Sequence, residues 1–200
     1  VSGQEKAFSD FEYRGRVNMY SVVCHAAGVR AVLEVRMGMI NGKRVTAGDL
    51  GDKGFAGLES SLAGTDDDQA CIMLIERFLM KRLRCLEGYN QKRVETAIRL
   101  INTGQTDIVR LADAACLSTK QFQRIFSEHV GLNPKEFSRT IRFQRALYIM
   151  GTCPGASLSA LAYECGYFDQ SHFIKDFKAL SGYTPREYLA ACPPHSDYFS

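Results

Sequence analysis

LADAACLSTKQFQRIFSEHVGLNPKEF (residues 111–137) and LAYECGYFDQSHFIKDFKALSGYTPREY (residues 161–188) are two copies of one segment. Leu111-Ala112, Phe122, Phe126, Gly131, Pro134 and Phe137 in the first correspond to Leu161-Ala162, Phe173, Phe177, Gly182, Pro185 and Tyr188 in the second. The offset is 50 at the Leu-Ala pair and 51 from Phe122 onward, so one residue is inserted at the turn. A short helix, a tight turn and a second helix make a helix-turn-helix, which presents its second helix to the DNA major groove. Two copies imply one polypeptide that reads two successive grooves.

Working outward, the pattern from Asn90 onward predicts seven helices, over about 90–103, 107–115, 119–130, 134–150, 157–164, 170–180 and 185–191. Ser118 and Asp169 precede the two recognition helices at equivalent positions, and both are favoured N-caps. Gly131 and Gly182 stand where those helices must stop, as glycines just past a helix C-terminus do. Asn133-Pro134 and Thr184-Pro185 each supply an N-cap followed by proline at the first helical position. The punctuation repeats in register with the aromatic residues.

At 100° per residue, Phe122, Ile125, Phe126 and His129 share one side of the first recognition helix and form its core face. Lys120, Gln123, Arg124 and Ser127 fall on the opposite arc. That arc has the chemistry a major groove requires, since Arg can be bidentate to guanine, Gln to adenine, and Lys can reach guanine or phosphate. In the second helix Phe173, Phe177 and Leu180 form the core side, and Ser171, Ile174, Lys175 and Lys178 face out, with Gln170 and His172 at the N-terminal end. Ile174 stands where Gln123 stands, either to touch a thymine methyl or simply to pack. Lys175 replaces Arg124 and lacks the rigid fork. More base discrimination is therefore expected from the first unit and more phosphate anchoring from the second. The first turn of each helix adds Ser118, Thr119 and Gln121, and Asp169, to the candidate DNA contacts.

Net charge is only +3, but it is unevenly placed. Residues 88–200 hold 13 Lys and Arg against 10 Asp and Glu, whereas the first 87 residues are neutral. Within 117–150, Lys120, Arg124, Lys135, Arg139, Arg142 and Arg145 face only Glu128 and Glu136, a balance suited to phosphate contact. The seven cysteines (Cys24, Cys71, Cys85, Cys116, Cys153, Cys165, Cys192) are odd in number and form no CxxC pair. This fits reduced thiols packed as small hydrophobes in a cytoplasmic protein, not a disulfide or zinc framework. His172 on a helix surface makes no metal site, and Cys24-His25 has no orienting acid that would make it a nucleophile pair. No GxGxxG, Walker A or GxSxG pattern occurs, so no catalytic residue, metal or cofactor is expected. No run of eighteen apolar residues is present, so no membrane span is expected.

The first 87 residues are less patterned. Apolar residues on both faces of 17–24 read as a buried strand within a β-rich stretch over 8–24. Gly28–Met37 reads as a short helix closed by Gly38 and the Asn41-Gly42 turn. A glycine-punctuated loop follows, with one short helix over 58–62. Thr65-Asp66-Asp67-Asp68 supplies caps for a helix over about 68–86, with Cys71, Ile75, Phe78, Leu79 and Leu86 at helical spacing. The boundary between an N-terminal portion (1–87) and the duplicated domain (88–200) falls at Glu87-Gly88. Val1-Ser2-Gly3, with neither an initiator Met nor a signal-peptide pattern, fits a fragment or a trimmed chain.

Residues 90–191 resemble the DNA-binding domain of the AraC/XylS family of bacterial transcription regulators. The resemblance rests on Leu161 to Phe173, on Phe177, Gly182 and Thr184-Pro185-Arg186-Glu187-Tyr188, and on Arg142-Phe143-Gln144-Arg145-Ala146-Leu147, which is similar to the family's linker helix. It implies a mainly α C-terminal domain with two helix-turn-helix units joined by a linker helix. Carried over residue by residue, the base-facing positions are Lys120, Gln123 and Arg124, then Gln170, Ser171 and Lys175. Cys116 departs from the pattern, because glycine is common at the first turn. Residues 1–87 are similar to the end of a β-barrel-like sensor domain plus a helical linker, a small α+β portion; a whole barrel needs more strands than two, so further N-terminal sequence is expected. The implied function is sequence-specific regulation of transcription on double-stranded DNA. The partners that go with it are a small-molecule effector at the N-terminal portion, a second copy in a homodimer and, for an activator, RNA polymerase. Two other classes remain: an architectural or protein-interaction module using the same fold without site specificity, and an enzyme with a DNA-binding appendage.

Overall fold

The computed structural model describes residues 1–8, 14–15, 18–33, 37–46, 48–83, 88–153 and 155–191. A 3-10 turn at Val29–Ala31 precedes ten α-helices among these residues. They are α1 (Met37–Ile40), α2 (Lys53–Ala63), α3 (Asp68–Arg82), α4 (Tyr89–Asn102), α5 (Ile108–Ala114), α6 (Thr119–Val130), α7 (Pro134–Thr152), α8 (Leu158–Glu164), α9 (Gln170–Ser181) and α10 (Pro185–Ala191).

The seven helices expected after Asn90 all form, and their ends are set by the expected caps. Ser118 and Gln121 make a reciprocal capping box at α6, and Asn133 with Glu136 makes another at α7. Asp169 accepts a bond from the His172 amide, 2.7 Å, to open α9. At α10 the Thr184 amide donates to Glu187 Oε2 and the Glu187 amide to Thr184 Oγ1. Gly131 and Gly182 take φ of 90° and 80°, the left-handed stop that terminates both recognition helices.

Two hydrophobic cores result, one per repeat. The first joins α4, α5 and α6 through Val94, Ile98, Leu111, Phe122, Phe126 and Val130, and α7 contributes Phe137. The second joins the C-terminal half of α7 (Ala146, Leu147, Ile149, Met150) to Leu161, Ala162, Phe173 and Phe177 of α8 and α9. Their aromatic stacks repeat with the sequence. Phe122–Phe126 and Phe126–Phe137 centroids lie 5.6 Å apart, while Phe173–Phe177 and Phe177–Tyr188 lie 5.6 and 5.5 Å apart. Helix α7 is thus one continuous rod whose two ends are buried in different cores, so the units cannot turn freely about each other.

The N-terminal portion corrects the expectation of strands. The described residues contain no strand, only an isolated antiparallel bridge between Ser2 and Arg44. Over 18–24 the side chains meant for burial are in water, with Val23 92% exposed. A strand is stable only with a paired neighbour and a covered face, and this stretch has neither, so the end of a β-barrel is not what the residues build. Residues 9–13 and 16–17 of that stretch lie outside the described residues. The helix expected over 28–37 is instead a 3-10 turn at Val29–Ala31, with α1 running through Gly38 to the Asn41-Gly42 turn; 34–36 lie outside the described residues. Helix α2 is longer than the expected 58–62, although Gly54 and Gly57 lower its propensity. Asp52 caps it by accepting from the Gly54 amide, and its flank is held by Phe55 against Phe78 of α3, 4.8 Å apart. The Arg82 guanidinium sits 5.1 Å from both ring centroids and pairs with Asp52. Leu86, Cys85 and the expected boundary at Glu87 lie outside the described residues.

Candidate nucleic-acid interface

Each unit turns from its first helix into its recognition helix by the same backbone hydrogen bonds. In the first, the Cys116 amide donates to Asp113 O and the Leu117 amide to Ala112 O, at 2.9 and 3.0 Å. In the second, the Gly166 amide donates to Tyr163 O and the Tyr167 amide to Ala162 O, at 3.0 and 2.9 Å. The departure at Cys116 therefore leaves the turn intact, with Cys116 held at φ 53°, the only non-glycine at positive φ among the described residues. The residue inserted in the second copy is Phe168, between Tyr167 and the cap Asp169, and its ring is 92% exposed.

On α6, Phe122, Ile125, Phe126 and His129 are buried and Lys120, Gln123 and Arg124 exposed, as the helical wheel places them. Ser118, Thr119 and Gln121 are also exposed, but Gln121 spends its carbonyl oxygen on the Ser118 hydroxyl, 3.0 Å, within the capping box. Ser127 is half-buried. Arg124 is not free: its Nη1 donates to Glu128 Oε1 one turn on, 3.0 Å, an exposed pair worth about 0.3–0.5 kcal/mol.

On α9, Phe173 and Phe177 are buried, Leu180 is half-buried, and Asp169, Ser171, His172, Lys175 and Lys178 are exposed. Ile174 is half-buried and packs on the second core. Gln170 is half-buried and its Oε1 accepts the Ser159 hydroxyl, 2.7 Å, tying the start of α9 to α8. The ring of His172 stands edge-on to Tyr167, centroids 5.3 Å apart, with Nε2 3.5 Å from Asp176 Oδ2.

The basic run of 117–150 is not one surface. Lys120, Lys135 and Arg145 are exposed, but Arg139 Nε donates to Asp176 Oδ1, 2.9 Å, and Arg142 Nη2 lies 3.7 Å from Asp176 Oδ2. Arg142 also covers the Tyr167 ring at 4.8 Å. Burial raises the Tyr167 hydroxyl to about 12, so that ring stays neutral under the guanidinium. Reading the run as free phosphate contacts missed this pairing, yet a signal was present. Asp176 falls at the repeat position of Ile125, and an acid at a core position requires a partner.

The thiols divide. Cys71 and Cys165 are buried, and burial raises Cys165 to about 11, so it behaves as a hydrophobe. Cys24, Cys116 and Cys153 are exposed, contrary to the expectation of burial; Cys85 and Cys192 lie outside the described residues. Among the described residues no group of three or more His, Cys, Asp or Glu could hold a metal ion, and no helix is long and apolar enough to cross a membrane.

Comparison with known proteins agrees with this geometry. Residues 111–191 match a family model described as a helix-turn-helix domain. An uncharacterized HTH-type transcriptional regulator of Haemophilus influenzae is 36% identical over 106 residues, covering 52% of this chain and 35% of its own length. The HTH-type transcriptional activator RhaS of Escherichia fergusonii is 30% identical over 77 residues, covering 38% and 27%. The arabinose operon regulatory protein of Escherichia coli is 24% identical over 137 residues, covering 64% and 47%. The chain thus spans less than half the length of these relatives. The paired turns, the left-handed stops and these matches together support the resemblance to the AraC/XylS family, with residues 111–191 as a helix-turn-helix domain.

Proposed function

We propose that this chain is a cytoplasmic, sequence-specific transcription regulator whose α6 and α9 enter two successive major grooves of double-stranded DNA. The observation that carries the reading is the pair of recognition helices on one rod, each opened by a side-chain N-cap, closed by a left-handed glycine, and carrying an aromatic inner face and a polar outer arc. Helix α7 has 19 residues, about 28 Å at 1.5 Å per residue, which suits grooves one DNA turn, about 34 Å, apart. Ser118, Thr119, Lys120, Gln121, Gln123 and Arg124 are the proposed contacts of the first unit. Asp169, Gln170, Ser171, His172 and Lys175 are those of the second. The relatives named as a transcriptional activator and an operon regulator support the same assignment.

Residues 1–87 act in this reading as the sensor and dimerisation portion that controls residues 88–200. Support comes from where the N-terminal segment lies. The Gln91 side chain donates to Ala27 O, 3.0 Å, and Lys6 pairs with Glu136 at 2.8 Å. The Phe8 amide donates to Ala179 O, 3.1 Å, and its ring packs on Gly182, while Asn41 packs on Gly131. Both recognition helices are therefore touched at their C-terminal stops. A small-molecule effector at that portion, a second copy of the chain and, in activation, RNA polymerase complete the partners of this reading.

Selection from a random duplex pool, followed by salt-titrated binding to the selected and a scrambled duplex, tests it. A regulator enriches a bipartite site and binds it at least about a thousandfold more tightly than random DNA. An architectural module binds both alike, with the same steep salt dependence.

A further inference from the structure

Asp176 occupies a position where the other repeat has Ile125, which is 6% exposed in the first core. Its own side chain is only 14% exposed. The two recognition helices each have a side-chain N-cap, a glycine stop and an aromatic stack, so an apolar residue at this position is enough to fold such a unit. An acid here brings a desolvation cost that its ion pairs only offset, and a buried pair is weak support for stability. What it can supply is geometry.

The partners show which geometry. Arg139 and Arg142 lie on α7 between Phe137, in the first core, and Ala146, where the second core begins. The structure places Arg139 Nε 2.9 Å from Oδ1, Arg142 Nη2 3.7 Å from Oδ2, and His172 Nε2 3.5 Å from Oδ2. Arg142 Nε has no hydrogen-bond partner among the described residues, and its guanidinium lies between Asp176 and the Tyr167 ring. Beyond these pairs, α7 and α9 share the second apolar core, in which Phe143 meets Phe177 edge to face at 5.1 Å. Rings tolerate sliding, whereas the Arg139–Asp176 hydrogen bond is directional, and Asp176 Oδ2, which makes no hydrogen bond among the described residues, adds ion-pair attraction to Arg142.

We infer that Asp176 is a positioning residue: through Arg139 and Arg142 it fixes the set of α9 on the linker helix, and so the spacing of half-sites the protein accepts. The inference rests on the proposed DNA-binding reading and names a specificity device within it. One base pair added between half-sites turns the second groove by about 34–36° and moves it about 3.4 Å, which a rigid second unit cannot follow. Wild-type protein therefore discriminates sharply against altered spacing, and a protein without the Asp176 clamp does so weakly.

The test uses the duplex that the wild-type chain selects from a random pool, with one base pair inserted or deleted between its half-sites. Wild type is expected to lose at least tenfold in affinity for either change. Asp176→Asn should lose threefold or less, with unchanged binding to a duplex carrying the first half-site alone. A second variant, R139M/R142M/D176I, replaces the clamp by apolar side chains; it should melt as wild type does and show the same loss of stringency. Wild-type stringency in a folded variant overturns the inference. Unfolding of the apolar variant also overturns it, since the clamp would then hold the fold. If wild type enriches no bipartite site, the DNA-reading assignment fails instead, a result separable from both.

Discussion

Cys116 and Gly166 close the same turn with the same left-handed backbone, φ 53° and 76°, yet only one of them is a glycine. A side chain in that region costs about 1–2 kcal/mol, less the extra freedom glycine has when unfolded. Cys116→Gly should therefore stabilise the chain by about 0.5–1 kcal/mol, seen as a rise in melting temperature with DNA binding unchanged. Gly166→Ala should cost about 1 kcal/mol, although nothing lies within 4 Å of the added Cβ, because the cost is conformational. A neutral Cys116→Gly would mean that the cysteine side chain contributes a compensating contact.

The C-terminal half was legible because every level of its sequence agreed. Caps, stops and aromatic spacing at Ser118, Gly131, Asp169 and Gly182 are local signals, and each occurs twice. The N-terminal part misled because apolar residues on both faces of 17–24 suggest burial without saying against what, and over 18–24 the described residues supply no paired neighbour. Helix α2 was under-read for a related reason: Gly54 and Gly57 weaken its local signal, whereas Asp52, Phe55, Phe78 and Arg82 hold it through contacts with α3. Within the interface the wheel separated inside from outside correctly. It had no access to pairings across helices, so it could not see that Arg139 and Arg142 turn toward Asp176 or that Gln170 is held by Ser159.

Phe122 and Phe173 are fully buried at equivalent places, each stacked on the next phenylalanine of its own core. Truncating either to alanine leaves a cavity the packed neighbours cannot close, at a cost of about 3–5 kcal/mol. Denaturant unfolding of Phe122→Ala and Phe173→Ala measures it. Wild-type stability with altered sequence preference would place these rings on the DNA side instead.

His129 lies in the first core, its Nδ1 2.8 Å from Ile125 O. Burial depresses its pKa below the ordinary 6.5; the bond to Ile125 O opposes this, nearby Arg30 adds to the depression and Glu128 counters it. The folded state thus resists the proton that the unfolded chain accepts. Above pH 6.5 the group has no effect; as pH falls below 6.5 stability declines, and the loss levels off beneath the folded value. Melting temperature followed from pH 7.5 to 5 should fall less in His129→Gln than in wild type. Parallel curves would remove His129 as the cause.

Arg124 is held by Glu128 in the free chain, so base reading by its fork requires that the pair open. Glu128→Gln should raise affinity about twofold by freeing the guanidinium and removing a carboxylate that faces phosphate. Arg124→Ala should cost about 1–3 kcal/mol on the selected duplex and relax one base position. An equal loss on all sequences would make Arg124 a phosphate contact.

The two units should divide the work, for reasons the packing sharpens. The first recognition helix exposes Gln123 and Arg124, two planar side chains able to make paired bonds to base edges. At the position equivalent to Gln123, the second has Ile174, which packs on its own core, and beside it Lys175, a point charge. Gln170 is already engaged with Ser159, and His172 leans on Tyr167 and Asp176, so neither stands ready to replace the missing fork. Lys175→Ala should then weaken binding nearly equally on all sequences and reduce the salt slope by about one unit. Gln123→Ala should change base preference at its own position and leave the slope almost unaltered. Sites selected by the wild-type chain from a random pool should accordingly show a sharp first half-site and a diffuse second one. Equally sharp half-sites would require Gln170 or His172 to leave its partner on binding, and would sink the asymmetric reading.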